Sequence, residues 1–450
     1  MENNKTRIGN YRWVIITLLL FSTTINYMDR QVISYLKPFF CTAIDHGGFG
    51  WNNSQFSFLT SFFLGVYALV SIFAGRIIDK IGTKLGLAIS LVIWSIFGMV
   101  NALASAALAV NIFIRSLFAV GEAGVFPVSI KTVAEWFPKK ERALATGIFN
   151  SGTNIGAMIA ALFVPWCIAV WGDNPGWKWA FILTGASGFI FLIFWLWLYN
   201  PPGKYKKLTK AEADYIHQDD TPQELAQVDD KANIPFSKLL KYRQTWSFFW
   251  GKFLTDGVWW FYLFWLPDYL MKQFGMSKLD VRWPTFIVYG VAIIGSVFGG
   301  SIPLFLINRG MPVYKARMRA MLMIAVVPLV VLTTQYFGNV ARFGNAAIYL
   351  AVAVICIAAA GHQAWSANLF TTVSDMFPKK AVGSMVGIGT MAGGIGGILI
   401  QLLSGKLNDV FSATPQTAYL IMFCICALGY LIAWSLMKGL VPQHKPITDL

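Results

Sequence analysis

Residues 132–156 read TVAEWFPKKERALATGIFNSGTNIG, and residues 372–396, which lie 240 positions later, read TVSDMFPKKAVGSMVGIGTMAGGIG. Ten of the 25 positions are identical, including Phe137-Pro138-Lys139-Lys140 against Phe377-Pro378-Lys379-Lys380 and Ile155-Gly156 against Ile395-Gly396. In each copy an apolar run stops at the Phe-Pro-Lys-Lys break, and a glycine-rich apolar run starts behind it. Chance recurrence at two helix ends is the competing explanation. The two copies also hold equivalent places, between the fourth and fifth and between the tenth and eleventh apolar runs. The repeat therefore predicts two copies of one six-helix unit.

Working outward from the repeat, apolar stretches recur near 13–36, 55–78, 85–105, 107–136, 144–170, 179–199, 244–270, 284–307, 320–337, 343–376, 382–403 and 416–437. Most match the roughly 20 predominantly apolar residues that cross a bilayer as a helix. Composition agrees: the 450 residues are 56% hydrophobic and 13% charged, against about 25% charged in an ordinary soluble domain. The predicted fold class is an all-α polytopic membrane protein with 12 transmembrane helices in two six-helix halves. The longest polar break, Asn200 to Arg243, opens with Pro201-Pro202-Gly203 and holds a short amphipathic helix around Leu208–His217. It divides the chain into an N-terminal half (1–199), a cytoplasmic central loop (200–243) and a C-terminal half (244–450).

A formal net charge of +15 in a soluble protein would point to nucleic acid. Here it reads as an orientation signal, with no nucleic-acid partner. Of the 36 Lys and Arg, 25 fall in segments on the same side as the N-terminus and 7 on the opposite side, which places both termini in the cytoplasm. The basic start, Met1 to Arg12, runs into a long helical pattern with no small-residue cleavage site, so the first run reads as a spanning helix and not a removed signal peptide. The five cysteines form no disulfide framework, and the four histidines (46, 217, 362, 444) are too scattered for a metal centre. No Gly-x-x-x-x-Gly-Lys-Ser/Thr loop is present for ATP. Any work the chain does must then draw on an ion or solute gradient across the bilayer, with no cofactor.

The break after the second run, Gly75-Arg76-Ile77-Ile78-Asp79-Lys80-Ile81-Gly82-Thr83-Lys84, resembles the Gly-x-x-x-Asp-x-x-Gly-x-Arg/Lys signature of the major facilitator superfamily, whose 6 + 6 layout the chain shares. Gly75 and Gly82 suit a tight turn and close helix approach, and Asp79 suits a helix end. These three are structural or gating residues and carry no substrate information. Tyr27-Met28-Asp29-Arg30 and the stretch Arg115 to Pro127 are similar to the anion:cation symporter family. Lys252 to Tyr262 and Gly361-His362-Gln363-Ala364-Trp365-Ser366 look most like its hexuronate branch. That resemblance implies proton-binding acids at Asp29 and Glu122 and a carboxylate contact at Arg30. Some hexuronate relatives carry a neutral residue where this chain has Asp29, which leaves coupling by Glu122 alone open.

The residues themselves support a polar cavity. Arg30, Arg115 and Lys252 and the acids Asp29, Glu122 and Asp256 lie well inside apolar stretches, where each charge costs at least about 2.5–3.5 kcal/mol for Lys, Arg or Asp at a helix centre. Lys131 lies near a helix end and can snorkel. Three acids balance three bases, so one added proton leaves a site of single positive charge, matched to a monocarboxylate. Arg115 and Glu122 are two turns apart on one helix face, so Arg115 is a candidate to bind carboxylate or to hold Glu122 between cycles. Asp29 and Arg30 project about 100° apart and address different neighbours. Lys252 and Asp256, four apart, form a structural ion pair or a substrate contact. His362 falls at the repeat mate of Glu122, and is either a ligand or proton relay or a histidine satisfied between helices.

Hydroxyl recognition and an aromatic platform for a sugar ring draw on Tyr27, Tyr67, Asn150, Thr153, Asn154, Trp259, Trp260, Tyr262, Gln363, Ser366, Asn368 and Thr390, about half of which are expected to touch ligand. The glycine groups at 147–156 and 387–397 read as small-residue helix packing. The function these readings imply is proton-coupled import of a sugar acid anion, a hexuronate such as glucuronate or galacturonate, by a monomeric carrier in the cytoplasmic (inner) membrane. The alternatives are another organic anion such as galactonate or glucarate, an uncoupled anion facilitator, and, last, an intramembrane enzyme with Asp29 and Glu122 as acid and base.

Overall fold

A computed structural model describes residues 9–205, 208–216, 235–277, 279–377, 379–443 and 447. The side chains of some further helical residues, Asp79 among them, lie outside that description. So do His217 and His444.

Among the described residues the chain is helical, without strands. The first six apolar runs give α1 (Tyr11–Cys41), α2 (Asn53–Ile81), α3 (Thr83–Val100), the pair α4 (Leu108–Glu122) and α5 (Val125–Trp136), α6 (Lys139–Trp171) and α7 (Asp173–Leu198). The short α8 (Lys210–Ile216) stands within the central segment where an amphipathic helix was expected. The remaining runs give α9 (Arg243–Phe274), α10 (Arg282–Asn308), α11 (Val313–Val326), α12 (Ala346–Met376), α13 (Lys379–Val410) and α14 (Pro415–Leu440). Two runs are not continuous. The fourth breaks at Ala123–Gly124, so Glu122 ends α4. The ninth passes from α11 into a 3₁₀ turn, Val327–Thr333, where Pro328 cannot donate to an α-helical ladder.

Ten spans among the described residues are long and apolar enough to cross a membrane. The two long helices outside that set are α1 and α9, which carry Asp29, Arg30 and Lys37, and Lys252, Asp256, Asp268 and Lys272. Their low hydropathy comes from these charges. The surface shows the matching pattern, with Phe113, Ile193, Trp197 and Phe298 each more than 60% exposed, as side chains that face acyl chains are.

The repeat appears directly in the structure, because α6 and α13 begin 240 residues apart and have 33 and 32 residues. α6 packs on α1 and α13 on α9. At Gly156 an added Cβ would strike the Thr24 carbonyl oxygen on α1, and at the repeat mate Gly396 it would strike the Phe253 carbonyl oxygen on α9. Hydrogen at these positions is what lets the backbones meet. The seam between the first and second sets of helices is formed by α2 with α13, α6 with α10 and α1 with α9. Gly82 provides the turn between α2 and α3 with φ +83°, as expected. Gly75 makes no close approach to the described residues, since a Cβ there would meet none of their atoms within 4 Å.

Candidate functional site

α1 lies along the seam and brings Asn26 and Arg30 to the end of α4. Arg30 Nε donates to Glu122 Oε2 at 2.9 Å, its Nη2 lies 2.9 Å from the same oxygen, and Asn26 Nδ2 donates to Oε1 at 3.0 Å. Arg30 and Glu122 are both fully buried. The guanidinium is walled by aromatic rings: its carbon stands 4.6 Å from the ring centre of Tyr27, 4.7 Å from Tyr67, 5.1 Å from Trp260 and 5.4 Å from Phe63. Cation–π attraction and a charge-assisted contact together hold it in a space that water does not reach.

On the other side of that wall is a cavity. Tyr27, Tyr67 and Phe126 line it from the first helices, with Asn150 and Thr153 from α6. Lys252, Asp256, Trp259 and Trp260 line it from α9, His362, Gln363, Ser366 and Phe370 from α12, and Thr390 and Gly394 from α13. Tyr27, Tyr67 and Trp260 therefore present one surface to the cavity and one to Arg30. Gln363 Nε2 donates to Asn154 Oδ1 at 3.2 Å and ties α12 to α6, which puts Asn154 just behind the lining. Trp259 stacks on His362 with ring centres 5.0 Å apart and planes 4° from parallel. His362 Nδ1 shares a 2.7 Å hydrogen bond with the Tyr430 hydroxyl. His362 is therefore hydrogen-bonded between α12 and α14 and also lines the cavity.

Lys252 Nζ lies 2.6 Å from Asp256 Oδ2. The pair placed among the structural residues exists, and it also faces the cavity, so the two readings are not exclusive. Several expected positions differ. Arg115 does not hold Glu122. Its guanidinium sits between the rings of Phe63 and Phe118, 4.8 and 4.7 Å away, and its Nε and Nη1 meet no hydrogen-bond partner. Arg30 holds Glu122 instead, because α1 crosses the α4 end. Asp29 faces α3, where Trp94 Nε1 donates to it at 3.0 Å, and it does not line the cavity. Tyr262 is buried away from the cavity, and Asn368 donates to the Gly299 and Ala364 carbonyls at 2.8 and 2.9 Å, fastening α12 to α10.

The balance of buried charge also needs correction, because a second cluster lies at the end of the bundle that holds Cys41, Asn53, Phe274 and Val410. Lys37, one residue past the first apolar run near 13–36, is buried in α1 with Nζ 2.7 Å from Asp268 Oδ2 and 4.0 Å from the centre of the Trp265 ring. Asp268 also lies 3.1 Å from Lys272 and accepts from Tyr419 at 2.5 Å. Beside it Asp409 on α13 accepts from the backbone N–H groups of Asn53 and Ser54 at 3.2 and 2.9 Å, and from the Ser54 hydroxyl, at the N-terminus of α2. Gln31 donates to the Leu263 carbonyl at 2.9 Å. These contacts close that end of the seam between α1 and α9 and between α2 and α13. Among the described residues no three His, Cys, Asp or Glu are grouped to hold a metal ion.

The family model of the Major Facilitator Superfamily matches residues 19–399. The chain is 30% identical over 449 residues to a hexuronate transporter of Escherichia coli, covering 99% of this chain and 97% of that protein. It is 25% identical to a D-galactonate transporter of Escherichia coli, covering 95% and 97%. Among solved structures it matches a D-xylose-proton symporter with a TM-score of 0.69 at 16% identity, covering 97% of this chain and 100% of that one, a likeness of fold.

Proposed function

Since the chain belongs to the Major Facilitator Superfamily, we propose that it is a proton-coupled symporter importing a sugar acid anion, a hexuronate such as glucuronate or galacturonate, by alternating access. Its family is one of multi-pass membrane transporters, not enzymes. The relatives that cover almost all of it carry sugar acids in their names.

The observation that carries the proposal is the Arg30–Glu122 pair behind the cavity wall. A proton on Glu122 removes the charge that compensates Arg30, and an uncompensated buried guanidinium is strongly unfavourable. A carboxylate arriving in the cavity supplies the missing charge from the far side of the aromatic wall, where a medium of low dielectric keeps the attraction strong. Proton and anion then favour one another's binding, which is the reciprocal coupling a symporter needs. Asn150, Thr153, Gln363, Ser366 and Thr390 would meet the hydroxyls, and Trp259 and Trp260 the C–H face of the sugar. Asp29, turned toward α3, is a second acid whose proton would act on helix packing. No further cofactor takes part.

Alternating access follows from the seam. Residues 1–199 and 244–450 would rock as two halves about α2–α13 and α6–α10, with the 200–243 segment joining them on the cytoplasmic side. The basic-residue asymmetry puts both termini in the cytoplasm. The end closed by Lys37, Asp268 and Asp409 is then the outer one, and a single chain in the inner membrane suffices for the cycle.

Two measurements test the proposal. Thermal shift of the purified protein with hexuronates, aldonates and aldarates should show stabilisation by glucuronate or galacturonate. Proteoliposomes with an imposed inward proton gradient should accumulate the same anion. Stabilisation by aldonates alone would replace the substrate, and uptake indifferent to pH would leave an uncoupled facilitator.

A further inference from the structure

Among the described residues that line the cavity, Lys252 is the one lysine or arginine and Asp256 the one carboxylate. Arg30 and Glu122 are fully buried behind the aromatic wall. A ligand entering the cavity therefore meets the charges of the α9 pair first. Building on the sugar acid reading above, we propose that the Lys252–Asp256 pair is the element that selects sugar acids with one carboxylate over those with two: Lys252 anchors the first carboxylate, and Asp256 rejects a second.

Three observations support this assignment. The pair is a poor helix staple, because a lysine placed four residues before its acid is the weaker order of an i,i+4 pair. An ion pair inside a protein is also often replaceable by apolar residues without loss of stability, so its presence at a cavity calls for another reason. The ammonium has three donors in all, and it lies 2.6 Å from Asp256 and 4.3 Å from the Phe370 ring centre. Donors thus remain for a ligand carboxylate without breaking the pair. Asp256 is held close by α13, since a Cβ on Gly393 would collide with its carboxylate. Its negative charge therefore stays beside the cavity while the ligand is bound.

Charge balance then sets the selectivity. With Glu122 protonated, the positive charges of Arg30, Arg115 and Lys252 exceed the negative charges of Asp29 and Asp256 by one. A monocarboxylate neutralises that excess. A dicarboxylate leaves one uncompensated negative charge in a medium of low dielectric, where like charges repel strongly. Removing the charge of Asp256 raises the excess to two and makes the dicarboxylate the matched ligand.

The test is the affinity of glucuronate and of galactarate for the purified full chain, read from thermal-shift titrations, for the unsubstituted protein, Asp256→Asn and Lys252→Gln. Asp256→Asn should raise the affinity for galactarate relative to glucuronate at least five-fold. Lys252→Gln should weaken glucuronate at least ten-fold, while Lys252→Arg retains it. A pair that only braces α9 would lower the melting temperature and leave the ratio unmoved. An unchanged ratio in Asp256→Asn, or undiminished glucuronate binding in Lys252→Gln, overturns the inference while leaving the transport reading intact. Should Lys252→Gln fail to fold, the Asp256→Asn ratio decides. Absence of any sugar acid binding by the unsubstituted protein removes both the reading and the inference.

Discussion

The guanidinium of Arg30 on α1 meets the carboxylate of Glu122 at the end of α4 with two nitrogens, each 2.9 Å from one oxygen, and neither side chain is reached by solvent. The two residues are 92 positions apart in the chain. Their contact spans the N-terminal set of helices, and Trp260 from α9 closes over it. Anything that changes the charge of Glu122 is thus felt at once by a cation that also touches the cavity wall.

Replacing Arg30 with alanine leaves Glu122 buried with, among the described residues, Asn26 as its one donor. Breaking a buried pair in this way costs about 3–5 kcal/mol, so Arg30→Ala should lower the melting temperature of the purified protein and abolish glucuronate stabilisation. Arg30→Lys keeps the charge but not the fork. It should restore most of the melting temperature and only part of the binding.

The closed end makes a prediction of its own. Asp409 accepts from the first amides of α2, where an anion is favoured by the helix dipole. Asp409→Ala should speed hydrogen exchange of the Asn53 and Ser54 amides, with little change in the central turns of α2. Unchanged exchange at those two amides would show that Asp409 does not hold the end shut.

Lys37 and Asp268 should be energetically coupled. Residues sharing one network show coupling of about 0.5–3 kcal/mol in double-mutant cycles. Lys37→Met and Asp268→Asn should each destabilise, and the double variant should be more stable than the sum of the two losses. Additive losses would mean that the 2.7 Å contact contributes nothing of its own.

Close helix approach can be tested at the repeat. Gly156→Leu and Gly396→Leu place side chains where even a Cβ meets a backbone carbonyl, and overpacking of this kind typically costs about 1–3 kcal/mol. Both should unfold at lower temperature. Gly147→Ala, where nothing lies within 4 Å, should melt like the unsubstituted protein.

Much of this was readable from the sequence because it rests on local rules. The 240-residue repeat placed α6 and α13, and charges inside apolar runs singled out Arg30, Glu122, Lys252 and Asp256. Which charge pairs with which is not a local property. Helical spacing offered Glu122 to Arg115 on its own helix, whereas the crossing of α1 over the α4 end gives it to Arg30. Lys37 lies just past the apolar run near 13–36, yet α1 continues to Cys41 with Pro38 inside the helix. Asp268 lies inside an apolar run near 244–270 and was the available signal for that second cluster. Among the sugar-recognition candidates, Tyr262 and Asn368 carry the right chemistry but lie on helix faces turned from the cavity. Phe126 and Phe370 reach it with apolar rings that carry no polar signal in the sequence, and Gly394 lines it with backbone alone.

If Glu122 carries the coupling proton, paired flux measurements on Glu122→Gln in proteoliposomes will separate exchange from proton-driven uptake. Counterflow exchange of preloaded glucuronate should persist, because a neutral glutamine imitates the protonated acid. Accumulation driven by an imposed proton gradient should vanish. Accumulation equal to that of the unsubstituted protein would contradict the account.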